Sequence, residues 1–200
     1  MNEYQKNVES FNRLFDKLNA KYFGGTLVKP TITIQVDYNN YGRFTTKKVW
    51  IDSKQVESHE INIAPNFKRS GVDITGTLLH EMVHLYASQN GIKDTSRQGR
   101  YHNKDFRHLA EEHGLIVEYG GSTVGWGFTR PTEKVAEFYL ETRIKVCDLV
   151  RSTPERKERE YKARPKKYKY KCPCCEVEIE TIKPDLRLKC LTCQVELIRP

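Results

Sequence analysis

The sequence lacks a long hydrophobic run. No stretch without a charged residue is longer than eleven residues, and one stretch of that length, Tyr119–Thr129, is rich in glycine. A helix that crosses a membrane needs about 20 apolar residues, which argues against an integral membrane protein. The first residues, Met1 to Lys6, also lack the apolar core of a signal peptide. We therefore expect a cytoplasmic protein that is not secreted and has no membrane partner.

Cysteine is nearly absent from the first 171 residues, where Cys147 is the only one of the six. The other five lie between residues 172 and 193. Disulfide frameworks belong to oxidising compartments, and the expected compartment here is reducing. The cluster therefore favours a metal site, with a set of disulfides as the alternative.

Most of the chain also has little net charge. Residues 1–150 carry 20 basic and 18 acidic side chains, whereas residues 151–171 carry 10 and 3 and residues 172–200 carry 4 and 5. Almost all of the formal net charge of +8 thus falls in one short segment. A segment of that charge density favours polyanionic partners. We do not expect residues 1–150 to bind DNA strongly through bulk charge.

The spacing of apolar residues predicts an α+β fold, with helices packed on a small mixed sheet. A glycine-rich segment, residues 120–129, is expected to be a flexible loop. Helices are predicted over residues 4–22, 72–89, 103–113 and 132–150, and short strands over residues 31–36, 49–51 and 60–64.

The strongest local pattern is the H-E-x-x-H motif from His80 to His84, on a predicted helix. Two histidines four residues apart lie on one helical face, so both rings can bind the same ion. Glu81 lies about 100° around the helix from His80. From there it can act as the general base on a zinc-bound water. The alternative is a helix whose two histidines serve only packing.

A catalytic zinc needs a third protein ligand. The metzincin pattern would require glycine and histidine where the chain has Ala87 and Asn90, so that class is excluded. His102 is the preferred candidate, because it precedes a predicted helix and follows a loop that lets the chain turn back. The other candidates are His108, His113, Glu111 and Glu112.

Two C-x-x-C pairs near the end of the chain are typical of a zinc ribbon. They are Cys172 with Cys175 and Cys190 with Cys193. A unit of this size cannot fold on a hydrophobic core alone, so the metal must supply folding energy. Cys174 offers a rival pairing with Cys172. We interpret Cys174 as a spare thiol and Cys147 as a helix-packing residue.

Basic and aromatic residues alternate immediately before the ribbon. The cations could neutralise phosphates, and the tyrosine rings could stack on bases. The alternative is a solvated linker whose charge keeps it soluble. The candidate nucleic-acid contacts are Arg164, Lys166, Lys167, Tyr168, Lys169, Tyr170 and Lys171.

Taken together, these motifs resemble the SprT-like family, whose eukaryotic relatives are the Spartan DNA–protein crosslink proteases. The segment His102–Phe106 resembles the family's H-G-x-x-F motif, which provides the third zinc ligand, with Asn103 in place of the usual glycine. The segment Gly125–Thr129 resembles the aromatic loop that often follows the family's core. The two cysteine pairs match the ribbon of many bacterial members.

The resemblance implies a minimal zincin-like metalloprotease domain at residues 1–150, a basic linker at 151–171 and a zinc ribbon at 172–200. We expect a monomeric zinc metalloendopeptidase that acts on proteins associated with or crosslinked to DNA, including single-stranded DNA, and that is nucleoid-associated when DNA-bound. Two Zn²⁺ ions are expected, a catalytic one on His80, His84 and His102 and a structural one on Cys172, Cys175, Cys190 and Cys193. The alternatives are a DNA-binding adaptor with a structural or silent zincin site, and a general cytoplasmic metallopeptidase that does not depend on nucleic acid.

Overall fold

The computed structural model describes residues 1–65, 68–146 and 166–199. The chain divides into two compact units, Met1–Pro154 (unit 1) and Glu155–Pro200 (unit 2). Helices and short sheets occur together, which confirms the α+β prediction. The predictions for Cys147 and Arg164 lie outside the described residues. Among the described helices, none is both long and apolar enough to cross a bilayer.

Unit 1 contains every helix found in the described residues, together with nine short strands. The helices are α1 (Glu3–Tyr22), α2 (Gly71–Gln89), α3 (Lys104–Glu112) and α4 (Glu133–Thr142). The strands are β1 (Thr31–Thr33), β2 (Gly42–Phe44), β3 (Trp50–Ile51), β4 (Glu57–Ser58), β5 (Glu60–Ile63), β6 (Thr95–Ser96), β7 (Tyr101–His102), β8 (Leu115–Glu118) and β9 (Phe128–Pro131).

Helix α2 lies at the centre of unit 1. It begins with a capping box, in which the side chains of Ser70 and Asp73 each bind the other's backbone N–H and so satisfy groups that the first turn leaves free. Its apolar side chains are fully buried and pack with the buried face of α1. They include Leu78, Leu79, Met82, Val83 and Leu85 on α2, and Leu14, Phe15 and Leu18 on α1. This core fixes the helix that carries the H-E-x-x-H motif.

A three-stranded sheet with the order β1-β5-β2 covers part of α2. Strand β5 runs parallel to β1 and antiparallel to β2, with Gly42 opposite Ile63. Strand β2 passes so close to α2 that a Cβ atom on Gly42 would overlap the side chains of Thr77 and Glu81. A larger residue at position 42 would therefore displace Thr77 or Glu81, and glycine allows β2 to lie directly against the motif helix.

Two predictions for the end of unit 1 are wrong. Residues 120–129 are not a loop throughout, because β9 begins at Phe128 and pairs antiparallel with β8. Helix α4 ends at Thr142 rather than near residue 150, and Arg143 caps it in the left-handed conformation with φ 54°. The apolar residues Ile144 and Val146, which extended the helical pattern, are buried in irregular chain instead.

Unit 2 contains an antiparallel hairpin of β10 (Tyr168–Lys171) and β11 (Glu178–Thr181). Residues 168–171, which the sequence analysis assigns to the linker, therefore form a strand. Single bridges join Lys171 to Ile198 and Lys189 to Glu196. The small core consists of Tyr170, Cys172, Cys190 and Leu197, with further partly buried side chains around it.

Candidate metal centre

Three imidazoles converge in unit 1. His80 and His84 project from the same face of α2, and His102 reaches them from β7. The Nε2 atom of His84 lies 3.2 Å from the Nε2 atoms of both His80 and His102. These three side chains form one of two groups in the described residues whose donor atoms could hold a metal ion. The structure thus brings together the three histidines that the sequence analysis names as ligands.

The spacing and the outer hydrogen bonds of this triad fit a zinc ion. Tetrahedral coordination with Zn–N bonds of about 2.0–2.1 Å places ligand nitrogens about 3.3 Å apart. Each Nδ1 atom faces an oxygen: Thr129 Oγ1 at 2.9 Å from His80, Asp94 Oδ2 at 2.5 Å from His84, and the Val124 carbonyl at 3.3 Å from His102. When the Nδ1 atoms carry the protons, the Nε2 atoms have free lone pairs. These lone pairs are directed at a common point, where a cation can bind them.

Phe106 forms an apolar floor beneath the triad. Its ring is fully buried, and its centroid lies 4.8 Å from those of His80 and His84 and 4.5 Å from that of His102. Burial in this environment lowers the pKa of His80 well below its usual value and lowers the pKa of His102 to about 4. Both rings are therefore neutral at pH 7, the form that binds metal.

Glu81 lies beside the triad without belonging to it. Its side chain is directed towards β2, where the backbone N–H of Phe44 donates a hydrogen bond to it. The residue is only 5% exposed, and burial raises the pKa of its carboxyl to about 7 against the opposing effects of His84, that N–H and Arg43. A carboxyl with this pKa can both accept and return a proton near neutral pH.

The competing ligand candidates lie elsewhere. His108 is exposed on α3, as are Glu111 and Glu112. His113 is buried, stacks on the ring of Phe23 at 4.1 Å and binds the Tyr22 carbonyl through Nδ1. Its role is therefore in packing.

Sequence reasoning missed the residues that orient the triad. Asp94 and Thr129 contact ligand rings, but no sequence motif marks either of them. Asp94 reaches His84 because β6 and β7 form a hairpin, and because the backbone N–H of Asn103 donates to the Asp94 carbonyl at 3.0 Å. The Asn103 side chain also caps α3 by accepting from the Phe106 N–H at 3.0 Å. Asparagine at the usual glycine position thus helps to hold the site together.

The four predicted ribbon cysteines form the second group in the described residues that could hold a metal ion. They are Cys172, Cys175, Cys190 and Cys193, whose sulfur atoms all lie within 4.8 Å of one another. The sulfurs of Cys175 and Cys190 are 3.8 Å apart, close to the separation of about 3.8 Å expected for tetrahedral Zn–S bonds of about 2.3 Å. Cys174 is exposed and lies outside the cluster.

The hairpin changes the expectation for the basic segment. Lys167 and Lys169 both pair with Glu180, at 3.1 and 3.4 Å, and Lys171 pairs with Glu178 at 3.5 Å. Much of the positive charge on β10 is therefore compensated by β11. Tyr170 is 3% exposed in the ribbon core, so its ring is not presented to a base. Tyr168 is partly exposed, with Lys166 and Arg199 over its ring.

Most of unit 1 matches the model of a known protein family. The model of the SprT-like family matches residues 11–121, more than half of the chain. The chain belongs to the SprT-like family. The matched range includes the H-E-x-x-H helix and His102, which confirms the resemblance, whereas the ribbon of this SprT-like protein lies beyond it. Searches of curated proteins and of solved structures give no match.

Proposed function

We propose that this SprT-like protein is a zinc metalloendopeptidase whose substrates are proteins associated with or crosslinked to DNA. The observation that supports peptidase activity best is the position of Glu81. It is buried next to three convergent imidazoles but outside their cluster, with its pKa raised to about 7. A purely structural metal site has no use for such a base, so this position favours an enzyme over a silent adaptor.

The residues of the site have separate roles in the hydrolysis of a peptide bond. A zinc ion held by the three imidazoles would polarise the scissile carbonyl and lower the pKa of water. Glu81 takes the proton from the attacking water and transfers it to the nitrogen of the leaving amine. Asp94 holds the ring of His84, and the Phe44 N–H holds the carboxylate of Glu81, so both keep their orientation during the reaction.

Replacing Glu81 by glutamine tests this assignment. The variant should keep the metal content of the wild type, because the triad is intact, and lose proteolysis by at least about a hundredfold, because the amide cannot accept the proton. Metal content by mass spectrometry and cleavage of a DNA-binding protein, including self-cleavage, provide the two measurements. The matched control is Glu9→Gln on the exposed face of α1, which should cleave normally. Full activity in Glu81→Gln would refute the mechanism.

The link to DNA rests on the cationic residues of unit 2. Lys166 has no ion pair among the described residues, and the pairs of Lys167 and Lys169 are exposed and so contribute little stability. Phosphates can compete for such lysines. Replacing all three by alanine should weaken binding of single-stranded DNA at low salt and reduce its salt dependence. Unchanged binding would remove these lysines from the proposal.

A further inference from the structure

Unit 1 carries arginines and aromatic rings near His102. They lie on the β6–β7 hairpin, on the connection between β8 and β9 and, for Arg107, on α3. We define the arginine–aromatic patch as Arg97, Arg100, Tyr101, Arg107, Tyr119 and Trp126. The hairpin and the connection are joined by a backbone bridge between His102 and Gly125.

Stacking holds two of the three guanidinium groups in place. Arg97 lies over the Tyr101 ring at 5.2 Å and donates a hydrogen bond to the Ser122 carbonyl at 2.6 Å. Arg107 lies over the Trp126 ring at 4.4 Å. The Trp126 ring in turn contacts that of Tyr119, with ring centroids 5.0 Å apart. These groups lose little conformational freedom on meeting a ligand, which favours binding.

The charge of the patch is compensated only at Arg107, which pairs with Glu111 at 2.9 Å. Arg97 and Arg100 are exposed, and neither forms an ion pair within the described residues. Together with Gln98 and Thr123 they line a surface depression of about 510 Å³. In the hairpin of unit 2, by contrast, Lys167, Lys169 and Lys171 all face glutamates. Residues 1–150 are thus nearly neutral in total charge but carry a locally positive surface.

The patch is separate from the metal triad. Successive side chains of a strand point to opposite faces, so Tyr101 turns away as His102 turns towards His84. A ligand on the face that Tyr101 presents therefore need not contact the Nε2 atoms of the triad.

The chemistry of the patch identifies the ligand. Fixed guanidinium groups bind phosphates, and exposed aromatic rings stack on bases that only an unpaired strand presents. Tyr119 is 52% exposed, and the adjoining Phe128 is 59% exposed. We propose that the arginine–aromatic patch of unit 1 binds single-stranded nucleic acid. The proposal extends the DNA part of the proposed function and does not depend on proteolysis.

Fluorescence anisotropy of a labelled oligodeoxythymidine tests the proposal on the full chain. All proteins carry Glu81→Gln, to prevent self-cleavage, and alanine at positions 166, 167 and 169, to reduce binding by unit 2. In this background Arg97→Ala with Arg100→Ala should weaken binding at least about tenfold. The slope of log affinity against log salt should fall by about 1.4, since each phosphate contact on a single strand contributes about 0.7.

The matched control is Lys47→Ala with Lys48→Ala, which removes two exposed charges from the same unit. It should change the affinity less than about twofold. Equal weakening by both pairs would mean that bulk charge binds the strand and would overturn the proposal. Arg100→Ala alone, whose side chain forms no hydrogen bond or ion pair in the described residues, should weaken binding at least about threefold without affecting folding. No weakening by Arg100→Ala would count against the patch.

Tryptophan fluorescence provides a second measurement. Trp50 and Trp126 are the two tryptophans of the chain, so Trp50→Phe leaves a reporter within the patch. The oligonucleotide should quench this reporter, and a duplex of equal length should bind at least about fivefold more weakly. No quenching, or equal binding of the duplex, would overturn the proposal. Because no step requires turnover, these results are independent of whether Glu81 is the catalytic base.

Discussion

The carboxylate of Asp94 orients one of the three imidazoles of the metal centre. It accepts a hydrogen bond from His84 Nδ1 at 2.5 Å, and the residue is 9% exposed. This contact fixes both the tautomer and the direction of the His84 ring. It also makes Nε2 of the imidazole a stronger electron-pair donor to a metal ion, because the negative charge lies on the opposite side of the ring.

Replacing Asp94 by asparagine should weaken metal binding. The amide oxygen can still accept from His84, but the charge is lost, so we expect a roughly 10- to 100-fold lower affinity. Competition with a chromophoric chelator measures this affinity without any need for activity. Asp105→Asn, an exposed change in the first turn of α3, is the control and should leave the affinity unchanged. An affinity for Asp94→Asn within about twofold of the wild type would contradict this role.

At the scale of single residues, the sequence predicts the metal ligands but not the residues that orient them. His80 and His84 follow from helical spacing, because four residues return the chain to the same face. Asp94 and Thr129 do not, since they reach the triad only after the β6–β7 hairpin and β9 have formed. No periodicity in the chain encodes a contact between residues 80 and 129.

Among the elements, the glycine-rich connection between β8 and β9 positions the third ligand. The backbone N–H of His102 donates to the Val124 carbonyl, and the Trp126 N–H donates to the His102 carbonyl, both at 3.0 Å. Gly125, with φ +65°, lies between them, and a Cβ atom there would overlap the His102 backbone oxygen. The approach of the two segments thus requires glycine at this position.

Alanine at two glycines of this connection should have different effects. Gly121 also has a positive φ, +90°, but a Cβ atom there meets nothing within 4 Å. Gly121→Ala should therefore cost only the backbone strain, about 1–2 kcal/mol in the free energy of unfolding. Gly125→Ala should cost more and should also lower metal affinity, because it displaces His102. Denaturant unfolding and chelator competition measure both effects; equal losses in the two variants would refute this assignment.

The long helices could be predicted because their signals are local. The spacing of apolar residues places the starts of α1 and α2 to within one residue. The pairing of β8 with β9 could not, because it depends on residues brought together across a glycine-rich connection. The end of α4 was obscured by Ile144 and Val146, whose apolar character serves the core without continuing the helix.

For the whole molecule, the two units have separate cores and separate candidate metal sites. The large core surrounds α2, and the small one surrounds the four cysteines, with no residue in common. The spacing of the cysteines predicts a second metal site near the end of the chain, and the four sulfurs do lie together in unit 2. The sequence does not predict that lysines of β10 form cross-strand ion pairs, because these pairs depend on the register of the hairpin.

Replacing Cys175 by serine should remove one metal ion and leave the other. We expect wild-type protein to bind two zinc ions per chain and Cys175→Ser to bind one, with unit 2 unfolded, because a module of this size depends on its metal. Metal analysis and the NMR signals of the β10–β11 hairpin provide the measurements. Cys174→Ser changes an exposed thiol outside the cluster and should retain both ions. One ion in the wild type would contradict the two-site assignment.

The bridge between His102 and Gly125 also has a thermodynamic consequence. The same segment that presents a metal ligand supports Trp126 and the patch around it. If occupancy of the triad restrains this segment, an oligonucleotide that prefers the restrained form binds more tightly to the metal-loaded protein. Reciprocity then requires the oligonucleotide to raise metal affinity by the same factor. Gly125, which permits the close backbone contact, would in that way couple the metal site to the patch.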